Sequence, residues 1–300
     1  MEFSYKSLSE LVDLAEEKQM KLSELVLAEQ ACVMECSQGE VLERMREQYR
    51  VMKHAEEEGQ KEDIQSTSGL TGGDAYKIKK VLESHNSLCG DFMTGALLRA
   101  TAISELNAAM GKIVAAPTAG SCGILPAAVI TMEKEKGCSE EACVMALLTA
   151  SAVGMVISNR ACVSGAEGGC QAECGAAAAM AAAAVVELAG GTPKQCMESV
   201  AIALKNILGL VCDPVAGLVE IPCVKRNSSG VANAITSAQL ALCGIESAIP
   251  ADEVIDALKE VGKKMDVSLR ETAEGGLAQC PTAKRLCARV FTCNVEQTLI

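Results

Sequence analysis

Between Phe92 and Phe291 the chain contains no Phe, Tyr or Trp, and all 300 residues together hold only three Phe and three Tyr. A core built from such a chain must be packed with Ala, Gly, Val, Leu, Ile, Met and Cys. That excludes a stacking platform for single-stranded nucleic acid, which needs aromatic faces. It also argues against a β-sandwich, whose strands favour aromatic and β-branched residues. Few segments alternate with a period of two, whereas the run Ala176–Ala184 combines high helix propensity with little side-chain bulk. The expectation is an all-α fold of closely packed Ala/Gly-rich helices, interrupted by Gly/Pro-rich loops.

Periodicity and punctuation place those helices. Ser7-Leu8-Ser9-Glu10 fits a capping box, and Leu8, Leu11, Leu14 and Ala15 follow at helical spacing. Further helices are predicted near 23–36, 40–58, 91–109, 124–136, 139–157, 173–189, 193–208, 228–243 and 252–262. Thr192-Pro193 is a strong start signal, an N-cap followed by proline at the first helical position. Glu56-Glu57-Glu58, ahead of Gly59, reads as a solvated helix end that opposes the macrodipole and frays. Residues 1–64 form an acidic helical region and 65–300 a helical body, with no linker that forces a second domain.

The formal charge of −12 makes phosphate backbones and anionic membranes unfavourable partners. The longest apolar runs, 144–157 and 175–186, fall short of the roughly 20 residues that a bilayer requires. The N-terminal residues Met1 to Lys6 show neither a basic nor an apolar signal region. Sixteen cysteines are therefore read as thiols kept reduced in the cytoplasm, not as a disulfide framework. No Cys-x-x-Cys occurs and only two histidines are present, so a zinc ribbon or finger is excluded as well.

Chemistry is expected in the loops, which a rigid scaffold positions. Two of them, Ser68 to Asp74 and Ala116 to Gly123, offer small residues and hydroxyls; the second runs directly into a helix. Backbone N–H groups at such a junction suit a phosphate or a carboxylate. A third, Ser164 to Gln171, carries Cys170, and a fourth, Cys212 to Cys223, carries one cysteine at each end. Pro214, Gly217 and Pro222 keep Cys212 and Cys223 off a common helix. Buried cysteine is usually a small hydrophobe, a reading that suits Cys143, Cys196 and Cys243. Three cysteines on irregular backbone beside Gly or Pro, without zinc-like spacing, shift the balance toward an iron–sulfur cluster.

Gly111-Lys112-Ile113-Val114-Ala115-Ala116-Pro117-Thr118-Ala119-Gly120-Ser121, Ser-Gly-Ala-Glu-Gly-Gly-Cys-Gln at 164–171 and the Cys-Asp-Pro…Pro-Cys segment at 212–223 together resemble the iron–sulfur-dependent L-serine dehydratases. The match is to the alpha chain of the two-subunit type and spans about residues 5–280. The resemblance implies a [4Fe–4S] cluster held by Cys170, Cys212 and Cys223, with one iron left open as a catalytic site requires. That iron would act as Lewis acid on the hydroxyl of L-serine, giving pyruvate and ammonia by β-elimination of water. Thr118, Ala119, Gly120 and Ser121 would bind the substrate carboxylate. Ser68, Thr71, Gly72, Gly73 and Asp74 would close the site and meet the ammonium group. A beta subunit is the implied partner.

The general base stays open between Lys112, a hydroxyl and the partner chain. His54 and His85 read as surface residues. Cys122 stands where a small residue such as Ala is expected, and either approaches the cluster or packs. Cys280, Cys287 and Cys293 fall where the match weakens. Two other readings keep the cluster: an L-cysteine desulfidase, and a non-catalytic iron–sulfur sensor or electron carrier. A purely structural role for all the cysteines is a further alternative.

Overall fold

The computed structural model describes residues 5–297, with side chains as far as Phe291. Among these residues there are thirteen α-helices and no strand. In chain order they are α1 (Leu8–Lys18), α2 (Leu22–Val33), α3 (Gln38–Glu58), α4 (Asp74–Glu83), α5 (Gly90–Ala108), α6 (Ile124–Lys136) and α7 (Glu140–Arg160). There follow α8 (Gly165–Gly168), α9 (Cys170–Leu188), α10 (Pro193–Lys205), α11 (Cys223–Leu242), α12 (Ala251–Lys264) and α13 (Pro281–Gln297).

Helix α9 is the axis of the molecule. Residues Ala176–Ala184 are all buried along it, so α9 has no solvent face. It packs against α6, α7, α10 and α11 on all sides. An alanine contributes roughly one methylene of burial, about 0.8 kcal/mol. What the small side chains provide instead is close approach of backbones, which raises packing density around the axis. The same logic recurs at Gly59, where a Cβ would lie 2.0 Å from the carbonyl oxygen of Ala102, so the end of α3 rests directly on α5.

Local signals behave as their chemistry dictates. Ser7 caps α1, its hydroxyl accepting from the N–H of Glu10 at 3.1 Å, and Thr192 caps α10 with Pro193 at N1. The carboxylate of Glu10 accepts from Lys6 N, one residue before the position a closed capping box would use.

Two expectations need correction. Glu56 is not part of a frayed end: it is buried, paired with Arg99 at 3.5 Å and Lys134 at 2.8 Å. α3 is thereby pinned to α5 and α6. Secondly, α7 and α9 prove long and apolar enough to cross a membrane by length and composition, because each helix outruns its uninterrupted apolar stretch. Both are largely buried inside the protein, as core helices are. Every described cysteine is free.

Candidate functional site

The loops converge where two helices begin. Cys170 is the first residue of α9 and Cys223 the first residue of α11. The sequence reading had put both on irregular backbone, with these helices starting only at 173 and 228. Gly168-Gly169 and Pro222 do break the chain, but they do so immediately before each cysteine. Each thiol therefore sits in the positive field of a helix N-terminus, which favours a thiolate. Cys212 lies on an extended strip, its N–H bonded to Leu269 O and its carbonyl to the N–H of Glu271, both at 2.8 Å. The cysteine is thus framed by residues 269–271, far along the chain. As expected, Cys212 and Cys223 share no helix.

The thiols of Cys170 and Cys212 and a carboxylate oxygen of Glu173 all lie within 4.8 Å of one another. Cys174, one turn beyond Cys170 on α9, hydrogen-bonds the same sulfur. Arg226 completes this arrangement from α11, with Nη1 3.4 Å from Cys170 Sγ and 2.9 Å from Val211 O, and Nη2 2.8 Å from Asp213. Hydrogen bonds from Cys174 and Cys212, with the Arg226 charge, hold the Cys170 thiol well below its ordinary range. Cys212 is pushed the other way, since Cys170 is the better-supported thiolate beside it. Burial, then the charges of Cys170 and Glu173, raise Cys223 to about 12. A metal that replaced these protons would remove the penalty.

Glu173 links this thiol group to the Thr118–Ser121 loop. Its carboxylate accepts from the Thr118 hydroxyl, which in turn lies 3.1 Å from Ser121 Oγ. At Gly120 a Cβ would come within 2.3 Å of the same carboxylate, so any side chain there would displace Glu173 from the loop. Burial, chiefly, raises Glu173 to about 7, and the neighbouring Cys170 and Glu271 add to it. Ser121 is fully buried and Ala119 exposed.

Asn227 fastens that loop to the cysteine-bearing turn. Buried on α11, it accepts from Gly123 N at 2.8 Å and donates to Gly120 O at 2.8 Å, Cys223 O at 3.0 Å and Ser104 Oγ at 3.3 Å. Glu220 does the same for the Ser68–Asp74 segment, taking the hydroxyls of Ser68 at 2.8 Å and Thr71 at 3.0 Å. In that segment Gly72 and Gly73 adopt positive φ, and a Cβ on Gly72 would lie 2.3 Å from Ile64 O. Asp74 opens α4 and pairs with Lys225 at 2.5 Å and Lys77 at 2.8 Å.

Among the remaining candidates, Cys122 packs: it is fully buried with Ala55, Ile103 and Leu106, and burial pushes its thiol up to about 12. Lys112, His54 and His85 are exposed, Cys280 is exposed and Cys287 partly so. The side chain of Cys293 lies outside the described residues. Sequence reasoning missed Glu173, Cys174, Asp213, Glu220, Arg226 and Asn227. Glu173 and Cys174 were legible as the i+3 and i+4 neighbours of Cys170, had the helix been started at that residue.

An all-helical body that brings buried thiols, a carboxylate and a hydroxyl-bearing loop to the starts of two helices has the build of an enzyme site. Comparison with known proteins agrees. Residues 17–278 match the family model described as Serine dehydratase alpha chain. The chain is 47% identical to the probable L-serine dehydratase alpha chain of Bacillus subtilis, over 96% of this chain and 95% of that one. It is 43% identical to the L-serine dehydratase alpha chain of Peptoniphilus asaccharolyticus, over 92% and 95% respectively. To the probable alpha chain of Latilactobacillus sakei it is 54% identical, over 67% of this chain and 96% of that one. The chain belongs to the serine dehydratase alpha-chain family, an enzyme family of lyases.

Proposed function

We propose that this chain is the alpha subunit of a two-chain L-serine ammonia-lyase of the cytoplasm, working with a beta subunit. In this reading a [4Fe–4S] cluster is held by Cys170, Cys212 and Cys223. The observation that carries it is the meeting of the Cys170 and Cys212 thiols, from two separate segments, with Glu173 within 4.8 Å, Arg226 on Cys170 and the Thr118 hydroxyl on Glu173. The donor set suits such a group: soft sulfur ligands, buried, free of disulfides, with a guanidinium to offset negative charge. Gly165 leaves room beside it, since a Cβ there would lie 3.0 Å from Cys212 Sγ. A bound cluster supplies Lewis acidity toward the substrate hydroxyl, which makes water a tolerable leaving group.

The chain's own residues do the rest. Thr118, Ala119, Gly120 and Ser121 receive the carboxylate, with Asn227 holding their backbone in place. Ser121 acts through the Thr118 hydroxyl that it touches. Ser68, Thr71, Gly72, Gly73 and Asp74 form the wall that closes the site, fixed by Glu220. Loss of water across Cα–Cβ, followed by hydrolysis of the resulting imine, converts serine to pyruvate and ammonium with atoms balanced.

The test is anaerobic reconstitution with iron and sulfide in the presence of the beta subunit, then a pyruvate assay with L-serine and, in parallel, L-cysteine. Iron and sulfide incorporation with pyruvate from serine is expected, and activity should decay in air. A protein that stays colourless and yields no pyruvate sinks the reading.

A further inference from the structure

The carboxylate of Glu173 stands between the loop assigned to the substrate carboxylate and the thiols, yet what it touches is a hydroxyl and a sulfur, not a cation. A second acid faces the same point. At Gly165 a Cβ would lie 3.0 Å from Cys212 Sγ, 3.1 Å from Glu173 Oε2 and 3.3 Å from Glu271 Oε2, so these three atoms surround the space which that missing Cβ leaves. Glu271 reaches this position from a left-handed backbone conformation, φ 66°, tied to Cys212 through its N–H. Non-glycine residues seldom adopt that conformation unless their surroundings impose it. The nearby guanidinium, Arg226, is engaged by Asp213 and Cys170.

Two carboxylates with no ion-pair partner among the described residues, beside a loop suited to an anion, are complementary to a zwitterion. We infer that Glu173, assisted by Glu271, binds the α-ammonium group of the substrate, and that this pair makes the site select an amino acid over the corresponding hydroxy acid. The assignment rests on the serine reading above, and moves the ammonium contact from the Ser68–Asp74 segment to the carboxylate beside the thiols. In that segment the one carboxylate, Asp74, is already neutralised by Lys225 and Lys77. An ammonium here would sit opposite Thr118 across the carboxylate, leaving the hydroxyl end of serine toward the sulfurs.

The experiment uses the cluster-loaded enzyme with its beta subunit. L-serine and 3-hydroxypropanoate, which keeps the carboxylate and hydroxyl but lacks the ammonium, are titrated against the visible absorption, and iron and sulfide are counted per chain. Glu173→Gln is expected to weaken serine binding about tenfold or more, the scale of losing a charged partner in a partly buried site. Its affinity for 3-hydroxypropanoate and its iron content should stay unchanged. Glu271→Gln, at an exposed position that tolerates substitution, should lower the serine preference in the same direction by a smaller factor, and carries the test if the first variant does not fold. Equal weakening of both probes, an unchanged preference for serine, or loss of iron from Glu173→Gln overturns the inference and leaves the lyase reading standing. A wild-type enzyme that holds iron and sulfide yet binds neither probe overturns both.

Discussion

Asn227 shows how much a single amide can hold. Its side chain satisfies groups on α5, on the Gly120–Gly123 turn and at the start of α11, all without solvent. Asn227→Ala should therefore lower unfolding stability by about 2–4 kcal/mol, since partners are left buried and unpaired. A denaturant titration that shows less than about 0.5 kcal/mol would remove Asn227 from this role. The proposed ligands make a sharper contrast. Cys170→Ser, Cys212→Ser and Cys223→Ser should each deplete iron and sulfide on reconstitution. Cys196→Ser should not, because Cys196 is buried between α9 and α10, its sulfur 3.6 Å from Ala183 O. Full iron in any of the first three variants, or its loss in the fourth, would contradict the assignment. At this scale the sequence disclosed the cysteines and the small hydroxyl residues, because Gly and Pro mark where backbone turns. It could not disclose Arg226, Asn227 or Glu220, whose partners lie on other elements. An arginine in Val-Lys-Arg-Asn carries no local sign that it meets a thiol 56 residues away.

At the scale of elements, most long helices were legible, the charged α3 as well as the apolar α7 and α9. The Ala/Gly pattern marked α6, α7, α9 and α10 to within a few residues at most ends. Helix α4 went unread although Ala75, Ile78 and Leu82 fall at helical spacing and pack against Leu98 and Ala102 of α5. What secures its start is distant: Glu105 on α5 accepts from the N–H groups of Asp74 and Ala75 at 2.9 and 3.0 Å. Close helix contacts predict intolerance to bulk. Gly59→Ala forces a Cβ against backbone of α5, and Ala179→Leu overpacks α9; each should destabilise by about 1–3 kcal/mol. An unchanged denaturation midpoint for both variants would mean that the helices can separate freely. The link from α4 to α11 is acid-sensitive. Lys225 first, then Lys77, hold the Asp74 carboxyl below the usual carboxylate range. A depressed acid contributes stability above its unfolded pKa of about 4, and loses that contribution as pH falls through the lower folded value. The stability difference between wild type and Asp74→Asn should be present at pH 7 and vanish toward pH 3. A difference that is constant across that range would refute the ion pair's contribution.

For the molecule as a whole, the open question is whether the acidic residues 1–64 unfold with the body or ahead of it. Their composition separates them, but their contacts do not. Leu8, Leu11, Leu25, Val26 and Tyr49 belong to the same continuous core as α7 and α9. Polar ties cross the boundary too: Tyr49 donates to Glu133 at 2.9 Å, Lys53 meets Glu140 at 2.6 Å, and Glu56 neutralises the buried Arg99. Removing one partner of a buried pair costs about 3–5 kcal/mol, comparable with much of a domain's net stability. We therefore expect one cooperative unit, and the scarcity of aromatics supplies the means to check it. In a Tyr5→Phe/Tyr76→Phe background, Tyr49 is the one tyrosine left in the chain and its emission reports on α3 alone. Helical circular dichroism, by contrast, reports mainly on the body, which holds most of the helices. The two unfolding curves in denaturant should coincide. A tyrosine transition that precedes loss of helicity would show 1–64 to be a separable unit. The buried charge of Arg99 would then rest on Glu135 of α6, 2.8 Å away within the body.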